Sequence, residues 1–303
     1  MVSYTTESIR NIALVGHGAA GKTTLVETLL HHAGKLPTPG AVEKGNTVCD
    51  FDPQEKAHQH SLDSALVNFD YDGAHINLID TPGFPDFLGQ AIAVLPAVET
   101  AAVVINAQTG IEAVTQRMME RAGERQQCRM IIVNKIDAEN IDFPGLLDQI
   151  QDAFGKECLP INLPASGATR VSDCFFNSTG DSDFSSVAAA HSTLIDQVVE
   201  VDEDLMALYL EQGEDLQPEQ LHAPFEKAMR EGHLVPICFV SARTGAGIKE
   251  LLDAFVKLLP NPTEGNSEPL LKGEAATETS HSIPEPQQHA VAHVFKVLID
   301  PFI

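Results

Sequence analysis

The chain has 303 residues, of which 43% are hydrophobic, 6% aromatic and 20% charged; this is enough for one large α/β domain with an insertion or for two domains, and it excludes disordered and fibrous classes. The 43 acidic residues against 19 basic ones give a formal charge of −24, which excludes a broad phosphate-binding face, so any nucleic-acid contact, ribosomal RNA included, is expected to be local. Cys49, Cys128, Cys158, Cys174 and Cys238 are scattered with no CxxC pair, the pattern of reduced thiols. No stretch nears the roughly 18 apolar residues of a membrane span. Both features point to the cytoplasm and to no membrane partner.

Short apolar runs alternate with longer amphipathic ones, the signature of βαβ units around a mostly parallel sheet. A strand is predicted over 9–15, then a helix over 22–32. Asp72-Gly73 is a hairpin turn signal between strands at 65–69 and 76–79. A strand at 101–105, a helix at 114–125, a strand at 130–133 and a helix at 143–154 continue the alternation. From 156 to 232 the pattern changes to strand-like runs at 159–163 and 171–176, followed by acidic helices near 194–199, 204–210 and 218–230. A strand at 234–240 and a helix at 248–259 then resume it. The segment 156–232 is therefore expected to be an α+β subdomain inserted into a domain made of 1–155 and 233–262. Residues 263–290, rich in Glu, Ser, Thr and Pro, read as a linker. Residues 291–303 alternate like a first strand and are expected to open a truncated second domain.

Four motifs carry chemistry. Gly16-His17-Gly18-Ala19-Ala20-Gly21-Lys22-Thr23, followed by Thr24, fits the phosphate loop and lies between a predicted strand and a predicted helix, the context that motif requires. Its backbone N–H groups and the helix N-terminus would cradle phosphates, Lys22 would reach the β/γ-phosphates, and the Thr23 hydroxyl would face Mg²⁺. Asp80-Thr81-Pro82-Gly83 ends a strand, where Asp80 can hold Mg²⁺ through water and the Gly83 N–H can sense a γ-phosphate. Asn134-Lys135-Ile136-Asp137 follows another strand. The Asp137 carboxylate, acceptor-only, matches the two adjacent donors of guanine, which adenine lacks. Ser241-Ala242-Arg243, after a fourth strand, would offer N–H groups to the base edge. This order argues for GTP/GDP over ATP.

The series GHGAAGKTT, DTPG, NKID and SAR resembles the G domain of translational GTPases. The long insertion between NKID and SAR, and the ending Phe295-Lys296-Val297-Leu298-Ile299-Asp300-Pro301-Phe302, resemble elongation factor G in particular; elongation factor Tu lacks such an insertion. The resemblance implies a P-loop NTPase G domain of doubly wound α/β class. It further implies a GTP-hydrolysing, Mg²⁺-dependent factor that acts on the ribosome in translocation or a related step, with no membrane partner and as a monomer.

The match breaks at the switches. The family's Mg²⁺-binding Thr of switch I falls on Ser61, within His58-Gln59-His60-Ser61-Leu62. Phe84 stands where the family has the histidine that orients the attacking water, and Ala19 stands where it has an aspartate. His60 occupies a place that is normally apolar, so the imidazole and the apolar group could have exchanged positions. The alternatives are a recycling, release or protection factor of the same family, and a GTP-gated ribosome-binding module with little hydrolysis.

Overall fold

The computed structural model describes residues 4–212, 218–266, 270–272, 278–280, 292 and 294–297. Strand β1 (Ile9–Val15) leads into helix α1 (Lys22–His32). Helix α2 (Pro53–His58) follows, and then the hairpin β2 (Ala65–Tyr71) and β3 (Ala74–Asp80) with Asp72-Gly73 at its turn. Helix α3 (Leu88–Val94), β4 (Thr100–Asn106), α4 (Ala113–Glu124), β5 (Cys128–Asn134) and α5 (Phe143–Phe154) complete the first part. Next come β6 (Cys158–Pro160), β7 (Asn162–Ala165), β8 (Arg170–Asp173), α6 (Val187–Val199), α7 (Glu203–Gln212) and α8 (Pro218–Glu231). The chain returns through β9 (Val235–Phe239) and α9 (Ile248–Lys257).

Seven strands form one sheet in the order β2-β3-β1-β4-β5-β9-β6, parallel throughout except for β2, which pairs antiparallel with β3. The central strands are almost wholly apolar because helices cover both faces, as a parallel sheet requires. Successive side chains point to opposite faces: Ile12 and Leu14 enter one hydrophobic cluster while Ala13 and Val15 enter the other. Met130 and Ile132, against Ile131 and Val133, repeat the pattern on β5. Leu25 and Leu29 of α1 and Leu251 and Phe255 of α9 cover the first face; Val94 of α3, Met118 of α4 and Ile150 of α5 cover the second. This is the doubly wound class that the alternation predicts.

The structure departs from the expected boundaries in four places. The run 159–163 divides: β6 extends the main sheet beside β9, whereas β7 pairs antiparallel with β8, so part of the stretch assigned to the insertion from residue 156 is an edge strand of the larger sheet. The predicted strand at 171–176 ends at Asp173, whose Oδ1 accepts from the N–H groups of Phe175 and Phe176 and turns the chain. Helix α6 starts at Val187, capped by the Ser186 hydroxyl, ahead of the expected 194. Within 263–290, read as linker, β10 (Leu270–Lys272) and β11 (Glu278–Ser280) pair antiparallel. The strand expected over 291–303 falls largely outside the described residues; residues 294–297 among it are not in a strand.

Candidate functional site

All four motifs sit where β1, β3, β5 and β9 end, along one edge of the sheet, around a cleft of about 910 Å³. Ligands of doubly wound folds bind at the carboxyl ends of the strands, where the chain leaves the sheet and backbone groups are free.

The phosphate loop is built by close approach. Gly16 has φ +128°, and a Cβ on it would lie 2.4 Å from the Val104 carbonyl oxygen. Gly21, at φ +88°, would meet Asn134 Nδ2 at 2.6 Å. Ala19 also lies in the left-handed region, at φ 59°, a conformation costly for a side-chain-bearing residue. Helix α1 starts after Gly21 with no side-chain cap, so its first N–H groups and the positive end of its dipole are left for an anion. Lys22 is buried and donates to the Gly16 and His17 carbonyls at 2.8 and 2.9 Å. Burial pulls its amine down to about 8, against the opposing pull of Asp80 and Glu112. His17 instead turns away from the loop, its Nε2 3.5 Å from Glu112.

Beside Lys22 the hydroxyls and carboxylates converge. Thr23 Oγ1 donates to Asp80 Oδ2 at 2.6 Å and lies 3.2 Å from Ser61 Oγ. Ser61 Oγ donates to Asp50 Oδ1 at 2.7 Å, so the structure brings Thr23, Ser61 and Asp80 together and adds Asp50, which the sequence reading missed. Asp80 is fully buried and its carboxyl is pushed up to about 6, chiefly by desolvation. Among the described residues its Oδ1 has no hydrogen-bond partner. A buried carboxylate oxygen left without a donor, next to two hydroxyls, is a donor set of hard oxygens that fits Mg²⁺. Thr81 Oγ1 donates to the Leu14 carbonyl and ties β3 to β1. A Cβ on Gly83 would lie 2.4 Å from Lys22 Nζ and 2.6 Å from the Gly18 nitrogen, which leaves room there for nothing larger than glycine. Pro82 is buried in the same turn.

At the other end of the cleft, Asn134 works as a brace. Its Nδ2 donates to the Ala20 carbonyl at 3.0 Å and its Oδ1 accepts from the Ala242 N–H at 3.0 Å, joining the phosphate loop to the SAR segment. Lys135 extends along the loop to the Ala19 carbonyl. Ser241 Oγ donates to Asp137 Oδ1 at 2.5 Å, and the Arg243 guanidinium pairs with Oδ2. Arg243 is 77% exposed while Asp137 is 12% exposed, so the pair opens to solvent on the arginine's side. Ile136 lies in the core rather than in the cleft, with 1% exposure; it anchors the motif and reads nothing. Thr24 and Ala242 line the cleft wall.

A phosphate loop on β1, an acidic residue at the end of β3 and an asparagine-braced aspartate after β5 define a P-loop nucleotide-binding domain with a guanine-type base site. The chain belongs to the elongation factor Tu GTP binding domain family, which it matches over residues 7–261. It is 35% identical over 269 residues to an elongation factor G-like protein of Mycobacterium tuberculosis, an alignment covering 84% of this chain and 38% of that protein. It is 28% identical to elongation factor G of Thermotoga maritima, covering 98% and 45%. With the mitochondrial ribosome-releasing factor 2 of Culex quinquefasciatus it shares 30% identity, covering 86% and 38%. A crystal structure from Thermus thermophilus superposes with a TM-score of 0.77 at 32% identity, covering 85% of this chain and 41% of that one. The chain thus spans about two fifths of the length of the relatives it matches.

Proposed function

We propose that the chain binds GTP and GDP with Mg²⁺ and hydrolyses GTP, as the G domain of an elongation factor G-type protein that works on the ribosome. The observation that carries this reading is the pairing, in one cleft, of a partly buried Asp137 at the base end with Lys22 and the Thr23–Asp80 pair at the phosphate end. Elongation factor G and ribosome-releasing factor 2 are among its relatives, which supports the ribosome as partner. Five free, buried cysteines fit a reducing cytoplasm, and among the described residues no helix is long and apolar enough to cross a membrane. We assign 1–155 and 233–262 to the G domain and 156–232 to an insertion, with the edge strand β6 shared between them. The monomeric state belongs to the same reading.

In hydrolysis, water attacks the γ-phosphorus in line with the leaving β–γ bridging oxygen. Lys22, displaced from the Gly16 and His17 carbonyls, neutralises charge on the transferring group. The Gly83 N–H and the uncapped start of α1 bind phosphate oxygens. Thr23, Ser61 and, through water, Asp80 would hold Mg²⁺, with Asp50 fixing the Ser61 hydroxyl; when bound, the ion supplies charge neutralisation on the β- and γ-phosphates. Ser241 orients Asp137 toward the guanine donors once Arg243 moves aside.

A second reading, a GTP-gated module with negligible turnover, is favoured by Phe84, whose ring lies over Gly18 and carries no polar atom. Single-turnover hydrolysis by this chain, and multiple turnover by the longer protein with and without ribosomes, separates the two. Ribosome-stimulated turnover supports the factor; tight binding without hydrolysis under either condition supports the module.

A further inference from the structure

The geometry points to His60 as the group that holds and orients the attacking water, a reading that rests on the GTP hydrolysis proposed above. The phosphate end of the cleft is lined by Gly18, Lys22, Ser61, Gly83, Phe84 and His60. A water in line with the γ-phosphate needs a hydrogen-bond acceptor on the side away from Lys22. Phe84 has no polar atom, Lys22 is a donor only, and the Ser61 hydroxyl, which donates to Asp50, turns its lone pairs to Mg²⁺ in the reading above. The His60 ring packs against Phe84 with centroids 4.6 Å apart, so it occupies the same corner and adds the nitrogen that Phe84 lacks. Its Nδ1 lies 3.4 Å from the Ser61 carbonyl. A proton on Nδ1 donated there leaves Nε2 as the acceptor, the tautomer that orienting a water requires.

The loop that presents His60 is fixed. Asp52 and Glu55 form a capping box at the start of α2, and Gln59, at φ 57°, turns the chain out of the helix. Glu55 is buried and reaches past that turn, its Oε1 accepting from the Leu62 N–H at 3.0 Å and the Asp63 N–H at 3.3 Å. The His60 N–H closes on the Glu55 carbonyl at 3.3 Å. The backbone that carries the imidazole is thus held by a buried anchor, and the ring itself packs on Phe84, as a positioned reacting group requires. In the step itself the water oxygen bonds to the γ-phosphorus while the bond to the β–γ bridging oxygen breaks and GDP leaves with that electron pair. Nε2 accepts a hydrogen bond from the water throughout; one proton stays on the product hydrogen phosphate and the other passes to solvent.

The test compares the parent chain with His60→Ala, His60→Gln and, as a loop control, Gln59→Asn, which tolerates the left-handed turn. Three quantities are measured: equilibrium GTP binding, single-turnover GTP hydrolysis, and formation of the complex of fluorescent GDP with aluminium fluoride, a mimic of the in-line transition state. We expect His60→Ala to bind GTP within about threefold of the parent, to hydrolyse it on the order of 10²-fold more slowly, and to lose the aluminium fluoride complex. His60→Gln keeps part of both, Gln59→Asn keeps all, and adding Phe84→His to His60→Ala recovers turnover. Hydrolysis or aluminium fluoride binding unchanged in His60→Ala overturns the assignment while leaving the GTPase reading intact. A parent chain that binds no GTP, or binding without hydrolysis both by this chain and by the longer protein with ribosomes, refutes the GTPase reading and this assignment with it.

Discussion

Replacing Asp80 by Asn should stabilise the metal-free, nucleotide-free chain while removing its response to Mg²⁺. Asp80 is wholly buried and its carboxyl is raised from 3.8 to about 6. A group whose folded value lies above its unfolded value stabilises fully below the unfolded value, and that contribution is lost as pH rises through the folded one. Above about pH 6 the folded chain therefore carries an ionised carboxylate that burial disfavours, a cost of roughly 3 kcal/mol relative to the protonated state by linkage. Asparagine keeps an acceptor for Thr23 Oγ1 and carries no charge, so about 1–3 kcal/mol should return at pH 7.5, worth several degrees in Tm. The assay is thermal unfolding of both proteins in chelator at pH 4.5 and 7.5. Glu99 and Glu226, whose carboxyls burial raises to about 7, contribute to the pH dependence of both proteins equally, so the difference between the two isolates Asp80. The variant should be more stable at pH 7.5, with the gap narrowing at pH 4.5. A variant no more stable than the parent at pH 7.5, or a gap independent of pH, would refute the reasoning.

Other substitutions probe the rest of the site. Gly83→Ala puts a methyl group 2.4 Å from Lys22 Nζ, and should weaken GTP more than GDP, by tenfold or more, in equilibrium titrations. Arg243→Ala releases Asp137 from its ion pair and should speed guanine-nucleotide association in stopped flow without changing base preference. Glu27 is buried on α1, and its carboxylate accepts from the Gly40 N–H at 2.7 Å and the Val48 N–H at 2.5 Å. Glu27→Ala should cost about 1–3 kcal/mol through the unpaired N–H groups, and should open the 40–48 loop to limited proteolysis. Phe255→Ala, which empties a fully buried position between α9 and the sheet, should cost about 3–5 kcal/mol in denaturant unfolding.

The strands of the central sheet were legible because each is a near-continuous apolar run ending in a motif, and a parallel sheet buried on both faces produces that pattern. What was missed follows from the limits of periodicity. Helix α2 is six residues long and mostly exposed, so it has no apolar stripe; its signal was the capping box of Asp52 and Glu55 with Pro53 between them. That omission concealed Asp50 and Glu55, whose carboxylates hold Ser61 and the loop after it. Helix α3 was obscured by Gly89 near its start. The joining of β6 to β9 is a pairing between strands about 75 residues apart, and three apolar residues do not state which sheet they enter. At the site, the motifs identified which residues matter, whereas the contact of His60 with Phe84 and the orphaned oxygen of Asp80 are consequences of folding alone.

The central claim, a guanine-specific and Mg²⁺-assisted cleft read by Asp137, is tested most directly by equilibrium titration of fluorescent nucleotides. GDP, ADP and XDP would be titrated into the parent chain and Asp137→Asn, each in Mg²⁺ and in chelator. The account predicts that the parent prefers GDP over ADP by at least about 10³-fold and binds it more weakly in chelator, and that Asp137→Asn loses GDP while gaining XDP, since exchanging an acceptor for a donor inverts the match to the base. Equal GDP affinity in the two proteins, or binding of ADP as tight as GDP, would contradict it.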